Sequence, residues 1–223
     1  MIQWVYERSS QARLLADVVV ATDDAGLLEV VRNFGGRALM TSRRHGSGTD
    51  RVAEVAGLLD SDVFVNIQGD EPLISPNTID AVCQPLIEDP GLLVSTACVE
   101  LHEASEIATP HNVKVVTDRM GKALYFSRHP IPYQWEGSGR HFKHLGIYGY
   151  RRELLLRLPD MAASELERAE RLEQLRFLEA GIEIRVVTVQ ENSVGVDTEA
   201  DLERVRPFLE NLAKIEAQSH TGR

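Results

Sequence analysis

Val63-Phe64-Val65-Asn66-Ile67-Gln68-Gly69-Asp70-Glu71-Pro72 decides how the rest of the sequence is read. The run VFVNI is short, apolar and bounded by Gly and Pro, the pattern of a buried strand in a parallel sheet. Ligands of open α/β sheets bind just beyond the carboxyl ends of strands, and Asp70 stands at that point. Two acids with no nearby base suit a hard cation, and Mg²⁺ bridging phosphates is the usual occupant of such a carboxylate. A second reading is equally open here: the acids cap the helix that Ser75-Pro76-Asn77 opens.

Upstream, Met1 to Ala16 reads as an amphipathic helix with Ile2, Val5, Tyr6 and Leu14 or Leu15 inward. Residues 17–22 read as a strand. Asp23-Asp24 start a helix that buries Leu27, Leu28, Val30, Val31 and Phe34 and ends at Gly35, and residues 37–40 form a short strand. This is the rhythm of a doubly wound sheet. Next, Arg43 to Arg51 opens a helix running to about Leu59. Its two glycines let a ligand approach the backbone, Ser47 and Thr49 offer hydroxyls, and a helix N-terminus offers free N–H groups. As a plain loop it would be a Gly-containing connection with Thr49 as N-cap.

Downstream, Pro76 to about Glu88 is a helix with Ile79, Val82, Cys83, Leu86 and Ile87 at helical spacing and Pro85 as a bend. Leu92 to Glu100 alternates as a strand. His111 to Val116 and Ala123 to Arg128 are strands joined by a hairpin at Asp118 to Lys122. Pro130 to Arg140 is irregular, with Tyr133 and Trp135. His144 to Arg151 is a strand whose glycines mark close packing. Ser164-Glu165-Leu166-Glu167 is a capping box opening a helix to about Glu179. On its own pattern, Glu170, Glu173 and Gln174 fall on a solvated surface. Residues 182–189 are the last strand. Val194 to Thr198 leads into a helix capped by Thr198, with Asp201 near its positive end and Asp197 as a second acid at a strand-to-helix junction. The tail after about Ala213 is expected to fray.

The 223 residues suffice for one large domain or two small ones, and 43% apolar residues can build a sizeable core. A net charge of 24 − 34 = −10 argues against a binder of nucleic-acid backbones, while leaving room for a nucleotide site with a few local cations. Cys83 and Cys98 read as buried thiols, not a disulfide or metal pair. No run of about 18 apolar residues and no charged-then-apolar leader is present, so the expectation is a soluble, cytoplasmic protein without a membrane partner.

Together these pieces resemble the 3-deoxy-manno-octulosonate (Kdo) cytidylyltransferases: HGSGTDR (45–51), VNIQGDEP (65–72), NVKVV (112–116), ALYFSRHPIP (123–132), HLGIYGYR (144–151), LEQLR (172–176) and GVDTEADLERV (195–205). QGDEP or GVDT alone would indicate only a nucleotidyltransferase-like protein. LYFSR with HLGIYGYR and LEQLR narrows the resemblance to the Kdo enzymes over the sialic-acid ones. It implies an α/β fold, a doubly wound, Rossmann-like mixed sheet of the nucleotide-diphospho-sugar transferase type. One nucleotidyltransferase domain would span 1–223, with an inserted antiparallel dimerisation region at 123–151. The implied activity is transfer of CMP from CTP to Kdo for lipopolysaccharide synthesis, with Mg²⁺ on Asp70 and Asp197. Ser47, Gly48, Thr49 and Gln68 would line the nucleotide pocket. Gln68, Arg128, His144, Tyr148, Glu173 and Gln174 would bind the sugar, Arg128 taking its carboxylate bidentately. Lys114 and Arg151 are weaker candidates. The resemblance also implies a homodimer.

The family opens on a strand and a cationic, Gly-containing loop that grips the triphosphate, ahead of the helix with which this sequence begins. That strand would lie between 17–22 and 63–67, and the chain as given would be inactive and poorly stable. A non-catalytic remnant keeping the dimer and sugar site, or an enzyme for another acidic sugar, are the competing readings.

Overall fold

The computed structural model describes residues 1–193 other than 138, together with 195, 196 and 198–220, with side chains to residue 211. In chain order the elements are α1 (Ile2–Ser9), β1 (Val20–Thr22), α2 (Ala25–Asn33), β2 (Ala38–Met40), α3 (Gly48–Leu58), β3 (Val63–Asn66), α4 (Pro76–Glu88), β4 (Val94–Leu101), α5 (Ala104–Ala108), β5 (Lys114–Thr117), β6 (Ala123–Ser127), β7 (His141–Arg151), α6 (Arg152–Arg157), α7 (Glu165–Glu170), α8 (Leu175–Glu179), β8 (Ile184–Thr188) and α9 (Glu199–His220).

The main sheet has six strands and is mixed. Its order is β6-β5-β7-β4-β8, and β3 joins on β7. Strand β7 is long enough to serve three partners. One of its edges runs antiparallel along β4. The other is divided, with residues 148–151 taken by β3 and Lys143 by β5. The sheet therefore forks at β7, and the stretch between the two partners is left open. Strands β1 and β2 pair in parallel as a separate two-stranded sheet, and α3 packs against both β1 and β3. The antiparallel strands β5, β6 and β7 are continuous with the main sheet.

Helices cover both faces. On one, Ala53 and Ala56 of α3 and Leu154 and Leu155 of α6 meet Val94, Cys98, Phe126, Tyr150, Leu175 and Phe177. On the other, Val5 of α1 and Ile79, Val82 and Cys83 of α4 meet Ala97, Val99, Leu145 and Ile147. Strand β4, read as alternating, is buried from Val94 through Val99 because helices pack on both its sides. Both cysteines are free and buried, and burial pushes the Cys83 thiol up to about 12.

Several boundaries differ from the sequence expectation for local reasons. Helix α1 stops at Ser9, where Ser9 and Ser10 turn their hydroxyls back onto the Val5 and Tyr6 carbonyls at 2.7 and 2.8 Å. Leu14 is 40% exposed, and its amide is held by the buried Asp80 carboxylate at 2.9 Å. Val30 and Ile87, expected inside, are exposed. The cap of α3 is Ser47, in a reciprocal capping box with Asp50, and Thr49 lies inside the helix. The expected helix over 164–179 is two, α7 and α8, because Arg171 takes a left-handed backbone at φ 53°. Helix α9 continues to His220.

Glycines of β7 play two different parts. A Cβ on Gly149 would lie 2.6 Å from both Leu86 Cδ1 and Ser95 Oγ, so α4 and β4 pack directly on its backbone. At Gly146 there is open space, because the register slips there: Thr96 pairs with Tyr148 but Ala97 pairs with Leu145.

Candidate active site

A cavity of about 250 Å³ opens at the fork of the sheet. Its wall includes Gly48 and Thr49 at the start of α3, Asn66 and Gln68 at the end of β3, and His144, Gly146 and Tyr148 on β7. Leu172, Glu173 and Gln174, from the turn between α7 and α8, close it. Seven residues singled out in the sequence thus share one cavity: Gly48, Thr49, Gln68, His144, Tyr148, Glu173 and Gln174. Gly48 faces Gln68 directly, since a Cβ there would sit 3.5 Å from the Gln68 amide nitrogen. Ser47 is the adjoining cap, with its hydroxyl accepting from the Asp50 amide at 3.1 Å.

The Arg171 break explains why Glu173 and Gln174 are not on a solvated helix face. A left-handed residue ends α7 and sends 172–174 inward, at a cost of about 1–2 kcal/mol for a non-glycine residue. Such strain persists where the surroundings enforce it, typically at functional sites. Glu173 Oε1 is buried without a hydrogen-bond partner among the described residues. Burial raises the carboxyl's pKa, against the lowering effect of the Thr49 and Ser47 hydroxyls and Arg176.

His144 is 9% exposed, with its Nε2 2.9 Å from Thr96 Oγ1. Its ring lies between Phe126, 5.1 Å away edge-on, and Tyr148, 5.2 Å away. Burial, with Lys143 beside it, lowers its pKa to about 3, so the imidazole is neutral. Tyr148 stacks on Tyr150 at 5.6 Å and walls the cavity.

Asp70 lies in the turn after β3, outside the cavity wall. Its carboxylate has no hydrogen bond or ion pair among the described residues and caps nothing; Ser75 is the residue preceding α4. The backbone is well tied, with the Val196 amide donating to the Asp70 carbonyl at 2.8 Å and the Glu71 amide to the Gln68 carbonyl at 3.2 Å. Glu71 bonds the Ser193 hydroxyl, and Lys143 Nζ reaches Asn192 Oδ1 at 3.1 Å. The 190s loop is therefore latched to the strand end carrying Asp70. Asp197, the second acid read as a metal ligand, lies outside the described residues.

Arg128 is placed elsewhere. It lines a separate surface pocket with Pro110, Tyr125 and Glu170. Its guanidinium donates to the carbonyls of Glu170 at 2.8 Å and Pro110 at 3.1 Å, while its amide donates to the Glu170 carboxylate at 2.9 Å. The side chain is committed to holding α7 against β6. Lys114 and Arg151 are structural too. Lys114 Nζ donates to the carbonyls of Thr109, Asn112 and Arg128, at 2.9, 2.6 and 2.6 Å, and Arg151 holds those of Leu86, Leu92 and Asp89.

Sequence reasoning missed Asn66, Gly146, Tyr150 and Leu172 in the cavity wall. Asn66 was the findable one, a polar interruption of VFVNI at the strand's last position. The other three depend on the slip in β7 and the turn after Arg171, neither of which has a sequence period.

A family model described as Cytidylyltransferase matches residues 1–184. The 3-deoxy-manno-octulosonate cytidylyltransferase of Geotalea daltonii is 51% identical over 223 residues, covering 95% of this chain and 88% of that protein. The Escherichia coli protein of that name is 47% identical over 210 residues, covering 94% and 85%. The solved structure of CMP:2-keto-3-deoxy-manno-octonic acid synthetase complexed with CTP superposes with a TM-score of 0.91 at 46% identity, covering 94% of this chain and 87% of its own. A 4-diphosphocytidyl-2C-methyl-D-erythritol synthase from Anaerococcus prevotii shares the fold at 13% identity, with a TM-score of 0.63 and coverage of 94% and 88%. Similarity at this level runs along nearly the whole chain, and the chain belongs to the 3-deoxy-manno-octulosonate cytidylyltransferase family.

Proposed function

We propose that this protein transfers the cytidylyl group of CTP to the anomeric hydroxyl of Kdo, giving CMP-Kdo and pyrophosphate. The observation that carries the reading is the cavity at the sheet fork. It is small, it sits beyond a strand end, and amides, phenols, an imidazole and a carboxylate converge on it. That set suits a polyhydroxylated sugar acid better than an apolar ligand. Ser47, Gly48 and Thr49 give the nucleotide a helix start with small side chains and free N–H groups.

In the reaction the anomeric oxygen attacks the α-phosphorus, the bond from that phosphorus to the α,β-bridging oxygen breaks, and pyrophosphate leaves with the bonding electrons. The hydroxyl proton passes to solvent or a nearby base. The protein's part is positioning and charge stabilisation. Asp70 is a fitting Mg²⁺ ligand, because it presents two hard oxygens without a partner among the described residues and Mg²⁺ takes only one or two protein carboxylates beside phosphate and water oxygens. Among the described residues no group of three or more His, Cys, Asp or Glu could hold a metal; Asp197 would be the second carboxylate, with substrate phosphates and water supplying the remaining oxygens. When bound, Mg²⁺ would neutralise charge developing on the phosphate oxygens.

The direct test is pyrophosphate release by the full gene product with CTP, Kdo and Mg²⁺; failure with Kdo but turnover of another acidic sugar would replace the substrate. Within this reading Glu173→Gln should raise the KM for Kdo about tenfold to a hundredfold with little change in that for CTP, since a buried carboxylate bonded to a hydroxyl contributes about 1.5–3 kcal/mol. Equal effects on both substrates would place Glu173 outside the sugar site.

We further propose a cytoplasmic homodimer serving lipopolysaccharide synthesis. No helix among the described residues is long and apolar enough to cross a membrane. Tyr133 and Trp135, in the connection between β6 and β7, are 83% and 87% exposed and lie 6.3 Å apart, and Met120 of the β5–β6 turn and Leu124 of β6 are also exposed. An exposed aromatic pair of this size suits an interface. Light scattering at micromolar concentration should give twice the chain mass, and a monomer mass would contradict the dimer.

A further inference from the structure

Thr96 sits in the middle of β4, completely buried, beside the slip in β7. Its hydroxyl lies 2.7 Å from the Ile147 carbonyl, 3.3 Å from the Leu145 carbonyl and 2.9 Å from His144 Nε2. The Ile147 carbonyl belongs to the extruded pair Gly146-Ile147, which has lost its register partner, so it needs a donor. A hydroxyl has one proton and two lone pairs. With the proton given to Ile147, Oγ1 can only accept at the third contact. His144 Nε2 must then carry a hydrogen, and in a neutral imidazole the other nitrogen must be bare. Nδ1 has no hydrogen-bond partner among the described residues, and His144 is part of the cavity wall with Gly146, Tyr148 and Glu173.

We infer that Thr96 is a positioning residue that fixes His144 as the Nε2–H tautomer, so that Nδ1 accepts a hydrogen bond from a hydroxyl of the ligand in the cavity. The inference deepens the reading of the cavity as the sugar site and rests on it. It also orients the sugar. His144 Nδ1 and Glu173 Oε1, which has no partner among the described residues, are both acceptors, so these two groups take hydroxyl donors and repel the sugar's carboxylate. The carboxylate is directed toward the amide groups of Gln68 and Gln174 instead. Neutrality of the ring agrees with its lowered pKa, caused first by burial and then by Lys143. A sequence gives no sign of this role, because Thr96 stands in a run of small and apolar strand residues far from any motif.

The test uses protein with ¹⁵N-labelled histidine, in which the nitrogen resonances report the tautomer directly, with His144→Gln identifying the signal. The wild type should show a protonated Nε2 and a bare Nδ1. Thr96→Val removes both the donor and the acceptor at nearly constant volume. It should release the tautomer and raise the KM for Kdo about tenfold, the effect of one neutral hydrogen bond, with kcat and the KM for CTP much less affected. Thr96→Ser should restore both the spectrum and the KM. A wild-type Nδ1–H tautomer overturns the inference, as does a Thr96→Val protein with unchanged tautomer and unchanged KM. If Thr96→Val does not fold, the wild-type tautomer and the Thr96→Ser spectrum decide it. Failure to turn over Kdo with the Nε2–H tautomer present would instead remove the sugar assignment, so the two failures are distinguishable.

Discussion

Asp70→Asn should lower CTP- and Mg²⁺-dependent pyrophosphate release by about a thousandfold or more, the scale on which losing one preorganised charge contact acts on a reaction of this kind. The substitution keeps the shape of the side chain and removes only its charge. The native carboxylate has no hydrogen bond or ion pair to lose among the described residues. The turn is held by backbone bonds, from Val196 to Asp70 and from Glu71 to Gln68, which the amide leaves in place. Stability should therefore change by less than about 0.5 kcal/mol. A large loss of turnover at unchanged stability is the signature of a ligand to the metal. Turnover near the wild-type level would remove Asp70 from that role, and a matching loss of stability would make it a structural residue. The assay is made in the full gene product, at saturating CTP and across a Mg²⁺ titration, because a weakened ligand shifts the metal requirement before it lowers the plateau.

Much of this site could be read before the fold was known, and the reasons are local. The strand-turn at Val63 to Pro72 shows itself through an apolar run cut by Gly and Pro, but not its pairing: β3, expected as a buried strand of a parallel sheet, is half-buried and runs antiparallel to β7. The capping box at Ser164 forms as expected, with its hydroxyl accepting from Glu167. The hairpin at Asp118 closes on Lys122 with Gly121 at φ 78°. Each of these signals lies within a few residues of its consequence. What stayed hidden depends on contacts far apart in sequence. Arg128 carries the charge that a sugar carboxylate wants, but carbonyls from 110, 170 and 171 surround its guanidinium. Glu173 and Gln174 follow a helical pattern that only tertiary packing interrupts at Arg171. The slip between Thr96 and Ala97 comes from a pairing across 48 residues of sequence, and no period in either strand announces it. The same asymmetry governs Tyr148, which lies in the 123–151 region read as an association surface. The pleat of β7 turns it instead onto His144 and Tyr150.

His144 should make the fold acid-sensitive well above the range where most carboxylates titrate. In the folded protein its pKa is lowered to about 3, by burial first and by the neighbouring Lys143 second, whereas an unfolded histidine titrates near about 6.5. Below about pH 6.5 the unfolded chain therefore holds a proton that the folded chain refuses. Stability is fully present above that pH and falls as pH falls, by up to about 1.4 kcal/mol per unit. Between pH 6.5 and 5 the loss should reach roughly 2 kcal/mol, a large share of a typical domain's 5–15 kcal/mol. Glu173, in the same cavity wall, works the other way. Burial raises its pKa, so the folded protein takes up that proton more readily than the unfolded chain, and its contribution to stability grows as pH falls. The comparison that isolates the imidazole is His144→Gln, whose amide can still donate to Thr96 as Nε2–H does. Urea midpoints measured from pH 7.5 to 5 should fall steeply in the wild type and shallowly in the variant. Parallel curves would mean that water reaches the ring and that His144 ionises in place. A neutral, non-titrating His144 also predicts that any acidic limb of the reaction's pH profile above pH 5 belongs to another group, because the bare Nδ1 keeps its lone pair throughout that range.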